Sequence, residues 1–462
     1  MTTEAPTVAS RPRPARRGPA DLPFRFADRD LANALVAERS EPDWLRDDRL
    51  AAWQRFEELP VESNLLYTPY VDLRAADLMA VRPYVRTGAA SAEVGHVPDG
   101  TSGVIELRED GLGGFALSSE AAAHGVVVET FEAALRRDPD GFERDLLASE
   151  LADDKLAQLT RGFWNQGVRI VVPQGVHLTR PILIRWLAGV PDRALVSRTL
   201  ISIGDGASAS VVEELLPSGP DVECAEGEVV PQSLFAGTTE ILVGADASLD
   251  VAGIQELGPR QIVFQHRTAS VGEGSTLRWA LGQLGGRLVR SRIDNRLEGD
   301  RSSVEQVEVV FGTEDQLFDL TSYTRHLGRD TTGDLLAKGA LRGGARSFMK
   351  GLITIERSAI GTDSFLGEFG MNLSKKSRAV AIPSLEIDQP DCRRAAHSSS
   401  VGPIDEGQVF YLESRGIPDD EARKAIVLGF LEPVVARVPL EAAQDRLRER
   451  LDAKWSAPPT GR

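Results

Sequence analysis

From Gly167 to Pro403 the chain alternates short apolar strands with glycine-bearing corners and offers no helical run between them. GVRIVVPQGVHLTRPILIRW (Gly167 to Trp186) alternates with period two and is broken at Pro173, Gly175 and Pro181, as short strands between turns require. A loose unit then recurs: an apolar alternation, a Gly-x-x-small corner, and a second apolar alternation. It appears as ISIGDGASASVV (Ile201 to Val212), ILVGADASLDVAG (Ile241 to Gly253) and ASVGEGSTLRWA (Ala269 to Ala280), and continues through RLEGDRSSVEQVEVV and ALRGGARSFMKGLITI. Glycine at each corner lets the backbone turn with positive φ, and the alternating apolar residues point into a shared interior. Strand–turn units repeated without helices predict a solenoid, a parallel β-helix; an antiparallel sandwich carries the same local signals and is the alternative.

The flanks read differently. Residues 1–22 are rich in Pro, Arg and Ala and are expected to be a disordered tail. From Asp28 to Pro60 apolar residues recur at helical spacing, through Leu31, Leu35, Leu45, Leu50, Trp53 and Phe56. Two strand-like runs follow (Gly103 to Glu109 and Gly125 to Phe131), then a helical stretch from Phe131 to Asn165. After Pro403 the strands stop. Asp405 is a candidate N-cap for a short helix that ends at Gly416, Pro418 opens a second helix, and a charged third helix closes the chain. The expected organisation is a tail (1–22), an N-terminal mixed helical domain (23–165), a β-helix core (166–402) and a C-terminal helical domain (403–462). In the second of these last helices, Ala425, Ile426, Leu428, Gly429, Phe430 and Val434 offer more apolar surface than a short hairpin hides, so the face either packs on the β body or docks a partner.

A net charge of −16 argues against binding a phosphate backbone, which needs a positive surface. No apolar run is long enough for a bilayer, and the basic Arg11–Arg17 segment lacks the apolar region of a secretory signal, so no membrane partner and a cytoplasmic setting are expected. Two cysteines, Cys224 and Cys392, cannot supply the four thiolates of a structural zinc or an iron–sulfur cluster. There is no P-loop, no G-x-S-x-G elbow and no H-E-x-x-H. Asp294, Glu305, Glu308, Asp315 and Asp319 are the carboxylates a carbohydrate-active β-helix hydrolase or lyase would need in pairs on one open face.

Several pieces, taken in order, resemble the SufB/SufD family, the scaffold subunits of bacterial iron–sulfur cluster assembly. They are EPDWLRDDRLAAWQRFEELP (Glu41 to Pro60), GFWNQGVRIVVPQGVHLTRPILI, FDLTSYTRHLG, MKGLITIERSAIGTDSF and the terminal HSSSVGPIDEGQVFYLESRGI (His397 to Ile417). The resemblance runs from about Gly162 to Val435. It implies a right-handed parallel β-helix flanked by N- and C-terminal helical regions, and a non-catalytic scaffold rather than an enzyme. It implies pairing with a SufB-like paralogue through a β-helix edge, and docking of a SufC-like ABC-type ATPase on the C-terminal helices, with Phe410, Tyr411, Arg415, Gly416, Ala425, Leu428 and Phe430 as contact residues. SufB members carry a cysteine where this chain has Ser377 and a His-Glu pair where it has His397-Ser398, so the SufD role fits better. His397 then resembles the histidine that helps hold iron or a nascent cluster at the subunit interface, with no cofactor held stably by this chain alone. Cys392 is the second candidate ligand, five residues away where many members have a spacing of two; in an unbroken strand that offset puts the two side chains on opposite faces, and a bulge or a turn at Arg393-Arg394 would bring them together. Cys224 lies in a Gly/Glu/Pro-rich loop and is expected to be incidental.

Overall fold

The computed structural model describes residues 18–85, 93–94, 96–148, 153–219 and 231–456. Cys224 lies outside them, as does most of the expected tail, although Leu22 packs against a buried cluster. The chain from Gln166–Val172 to Arg394–Pro403 winds into a β-solenoid of about eight turns, with helices before and after it. Each strand crosses to the other of two sheets and pairs in parallel with the strand one turn earlier. Parallel pairing throughout the core excludes the sandwich. The register keeps columns of residues in line: Val263 lies beside Val289, and the column continues through Phe318 and Ser347 to Ala379. The turns differ in length along such a column, and the turn that brings Phe235 beside Leu195 is longer than any of these.

The corners explain the glycine pattern and amend it. The residue two positions before a strand of the second sheet has positive φ at Gly206, Gly274 and Gly361, but also at Asp246, Arg301 and Asp330. Aspartate tolerates this conformation better than most side chains. The corners also stack, so that a Cβ on Gly274 would strike Asp246 and one on Gly361 would strike Asp330. Glycine at these two corners thus leaves room for the aspartate of the neighbouring turn.

Three apolar clusters divide the molecule. The first fills the bore of the solenoid, with Trp186, Trp279, Phe235, Phe318, Val263 and Ile353 among its members. The second lies between the N-terminal helices and the outer face of one sheet, joining Phe56, Phe142, Phe163 and Trp164 to Val196, Ala236 and Phe264. The third lies between the C-terminal helices and the outer face of the other sheet, where Val427, Leu431, Val434 and Val435 meet Ala252, Ile254, Val307 and Val309. Both faces of the sheets are thus covered, and the central strands read as near-continuous buried runs.

The helical flanks are more broken than their periodicity suggested. The run from Asp28 to Pro60 divides into Arg29–Arg39 and Asp43–Glu58 at Ser40, which takes a left-handed conformation (φ 51°) ahead of Pro42. The stretch after Phe131 is three helices, Phe131–Arg137, Pro139–Ala148 and Lys155–Phe163. No helix among the described residues is long and apolar enough to cross a membrane.

Candidate functional site

The two ends of the solenoid are built differently. At the first, Val127–Thr130 pairs antiparallel with Gln166–Val172, and Gly111–Leu117 pairs antiparallel with Gly103–Arg108, so the sheets finish in the short strands Val127–Thr130 and Glu93–Val94. At the last, Arg378–Ile387 and Arg394–Pro403 pair on one side only, each with the strand one turn earlier. Among the described residues nothing continues either sheet. An uncapped sheet edge presents unpaired N–H and C=O groups and is a template for another strand. Much of the last strand is exposed, from His397 to Val401.

His397 stands on that last strand. The register places it beside Leu366, which lies beside Leu335, Gln306, Trp279 and Val251 in successive turns. Leu335, Leu366, Trp279 and Val251 all belong to the bore. His397 therefore continues an inward-facing column, and it is exposed because no further turn covers it. Its imidazole holds no hydrogen bond to another described residue, which leaves it available as a ligand for iron or zinc.

Cys392 precedes the last strand, at the corner between Ile387 and Arg394, half-buried against the bore cluster. The alternation argument that sets it opposite His397 does not apply, because the strand begins only at Arg394. Cys392 thus sits at the corner and His397 three residues into the strand, both at the same open end. Ser377 is buried in the previous corner, where its hydroxyl donates to the Ser374 carbonyl (2.8 Å) and accepts from the Ser374 N–H (3.2 Å). That serine closes a turn. Among the described residues no three His, Cys, Asp or Glu side chains form a metal-holding group, so ligation at this end needs donors from elsewhere.

Glu368 is the residue that sequence reasoning missed. It follows Leu366 by two positions and faces the bore, with Ser399 of the last strand beside it as His397 is beside Leu366. Its Oε2 accepts the Ile382 N–H across the bore at 2.7 Å, and its Oε1 occupies the space where a Cβ on Gly351 would stand. Burial pushes its carboxyl up to about 8. The signal was present in SFLGEFGMN, where a glutamate takes the parity of an inward leucine.

The C-terminal contact candidates separate by exposure. On the helix Glu406–Glu413, capped by Asp405 through the Gly407 N–H (2.8 Å), Phe410 is 71% and Tyr411 56% exposed, the Arg415 guanidinium lies 5.1 Å from the Tyr411 ring, and Gly416 makes the turn with φ 87°. On the helix Asp419–Val435, Ala425 is exposed, while Leu428 and Phe430 are half-buried beside the third cluster. Lys338 donates to the Phe430 carbonyl (3.2 Å) and sits over its ring. Packing on the β body thus takes most of that helix's apolar face.

The carboxylates of the hydrolase alternative are dispersed. Asp294 binds His266 and Arg292, and Asp319 binds Arg290 and Lys350, both on the face covered by the N-terminal region. Glu308 is inside the bore with Ser291 and Gln283, Glu305 is on the opposite outer face with Arg278, and Asp315 is at a corner with Arg287. His326 is buried between Thr331 and Ser364, and its burial lowers it to about 4, which keeps the ring neutral.

A scan against family models matches residues 186–430, more than half of the chain, to the SufBD core domain of SUF-system iron–sulfur cluster assembly. The chain belongs to the SufBD family. Similar relatives extend along nearly all of it. The iron–sulfur cluster assembly protein SufD of Bacillus subtilis is 26% identical over 92% of this chain and 98% of its own length. SufBD family proteins of Staphylococcus epidermidis and Staphylococcus haemolyticus are each 26% identical over 93% of this chain and 94% of theirs. Within the SufBD family the likeness is to SufD, as Ser377 and the His397-Ser398 pair led us to expect.

Proposed function

We propose that this chain is the SufD-like, non-catalytic scaffold of an iron–sulfur cluster assembly complex. It pairs with a SufB-like paralogue by adding that subunit's strands to the open edges Arg378–Ile387 and Arg394–Pro403. It docks a SufC-like ABC-type ATPase on its C-terminal helices through Phe410, Tyr411, Arg415, Gly416 and Ala425, with Leu428 and Phe430 behind them. Iron or a nascent cluster is cargo held transiently between the two scaffolds, with His397 as this chain's ligand and Cys392 as a second, and no cofactor stays on this chain alone.

The observation that carries this reading is the inequality of the two ends: one finished by the short strands Val127–Thr130 and Glu93–Val94, the other by two full ten-residue strands with free edges, with His397 exposed in an inward column there. A neutral imidazole there suits iron, and the missing donors come from the paired subunit. Strand addition supplies backbone hydrogen bonds for affinity and fixes the register that brings ligands together. The ATPase surface lies on a different layer, so nucleotide-driven movement of the ATPases reaches the cargo site by shifting the scaffolds against each other.

Replacing His397 by alanine in the co-expressed assembly is expected to leave its size unchanged and to lower cluster-derived visible absorption and bound iron by about tenfold or more, the usual scale for loss of a metal-site residue. Cys392→Ser in parallel separates the contributions of the two. An unchanged iron content with His397→Ala would remove the histidine from the cargo site.

A further inference from the structure

Between Val61 and Leu78 the chain forms a strap over the outer face of the first sheet, and it reaches further toward the open end than the N-terminal helices. Arg290, on the strand Leu288–Leu297, holds the Val61 carbonyl (3.2 Å) and the Glu62 carboxylate (2.9 Å). The Tyr67 ring then packs 6.0 Å from Tyr323 on the next strand, and the ammonium of Lys350 on the strand after lies 5.6 Å from the same ring. The Tyr67 hydroxyl faces Ser384 on the open edge strand. Tyr70 packs 5.7 Å from Phe348, and the strap returns to Gln232, which accepts the Asp77 N–H and donates to the Ala75 carbonyl. Its outermost turn is therefore residues 64–70, over the last strands of that sheet.

At this turn Tyr67 is fully buried, while Leu65 is 87% and Leu66 59% exposed. The turn is held from within: Asn64 accepts the Leu66 N–H on its side chain (2.9 Å) and the Tyr67 N–H on its carbonyl (2.9 Å). The two leucines are thus presented by an ordered turn, and the fold of this chain gains nothing from their exposure. The edge strand shows a half-covered outer face, in which Val380, Ile382 and Ser384 continue the columns of Phe348, Lys350 and Leu352.

We propose that Leu65 and Leu66 clasp the outer face of the strand that the SufB-like subunit adds to Arg378–Ile387. The proposal rests on the edge pairing put forward above. An added strand lies about 4.8 Å beyond the edge, with alternate side chains turned to the outer face. Those side chains come under the strap's turn as Phe348 and Ser384 come under Tyr70 and Tyr67. The occupant is a solenoid subunit because the strap's turn reaches an open strand edge through Tyr67 and Ser384, and only a strand continues that edge. The ATPase surface is on the outer face of the other sheet. The strap would thus give the interface a side-chain anchor that backbone pairing alone lacks.

The test is the double variant Leu65→Asp, Leu66→Asp in the full chain, co-expressed with the SufB-like paralogue and compared by affinity of pairing. The expected result is pairing weakened by at least about tenfold, because two leucines lose apolar burial and two charges enter a strand-covered surface. The melting temperature of the isolated variant should match that of the natural chain; if it falls, Leu65→Ser, Leu66→Ser repeats the comparison without added charge. Pairing equal to that of the natural chain would overturn the strap's role and leave edge pairing standing. Loss of self-association instead of paralogue pairing would assign the strap to a second copy and also overturn it. A natural chain that does not pair at all would remove edge pairing itself.

Discussion

Replacing Arg49 by methionine should lower the unfolding free energy by about 3–5 kcal/mol, the cost of leaving one partner of a buried ion pair alone. Arg49 is fully buried on the helix Asp43–Glu58. Its Nε and Nη2 donate to the two Glu41 carboxylate oxygens at 2.6 and 2.7 Å, and its Nη1 donates to the carbonyls of Gly162 and Trp164, both at 3.1 Å. The guanidinium also lies 4.1 Å from the Trp164 ring. One side chain thus joins the helix Asp43–Glu58, the end of the helix Lys155–Phe163 and the entry to the solenoid. Methionine keeps the apolar stem and removes every guanidinium donor, so Glu41 and two carbonyls lose their partners together. Adding Glu41→Gln should restore part of the loss, since removing both charges costs less than removing one. Denaturant unfolding of the single and double variants checks this; a single-variant loss below about 1 kcal/mol would mean the N-terminal layer does not depend on the clamp.

Glu368→Gln should change how stability depends on pH. The folded carboxyl is raised to about 8 by burial, against about 4.3 in an unfolded chain. Between those values the folded chain keeps a proton that the unfolded chain has released. The contribution of the neutral acid is therefore fully present below about pH 4.3 and is lost as pH rises toward and through 8, a change on the order of several kcal/mol. Glutamine is neutral at every pH and keeps an acceptor for the Ile382 N–H. The natural chain should lose stability relative to Glu368→Gln between pH 5 and 8, while other titrating groups cancel in the comparison. Parallel stability curves for the two proteins would show that Glu368 is ionised in the folded chain or exposed to water. Because the bond ties the bore to the open edge strand, the same series reports how firmly that edge is held.

Alternation and corner glycines made the solenoid legible because an inward side chain every second residue and a positive-φ corner are local demands. Register was not legible. That His397 continues the column of Leu366 and Trp279 depends on the length of every intervening turn, and those lengths are not constant. The relation of Cys392 to His397 stayed open for a related reason, since alternation does not say whether a turn at Arg393-Arg394 interrupts the strand. Whether Ile426, Leu428 and Phe430 pack or dock was not legible, because the sheet that covers that helix is distant in sequence. The strap around Tyr67 has neither helical nor strand period, and only its contacts with several separate strands reveal its course. Asp405, Gly416 and Pro418 were readable at once, because caps and turns are satisfied by their immediate neighbours.

The central claim is that the open end is a place for another subunit. It is tested most directly by co-expressing this chain with the SufB-like and SufC-like proteins of the same organism, purifying through a tag on this chain, and measuring the mass of what emerges. The account predicts one stable assembly that contains this chain, the paralogous scaffold and the ATPase. A chain that elutes alone with both partners present would contradict it.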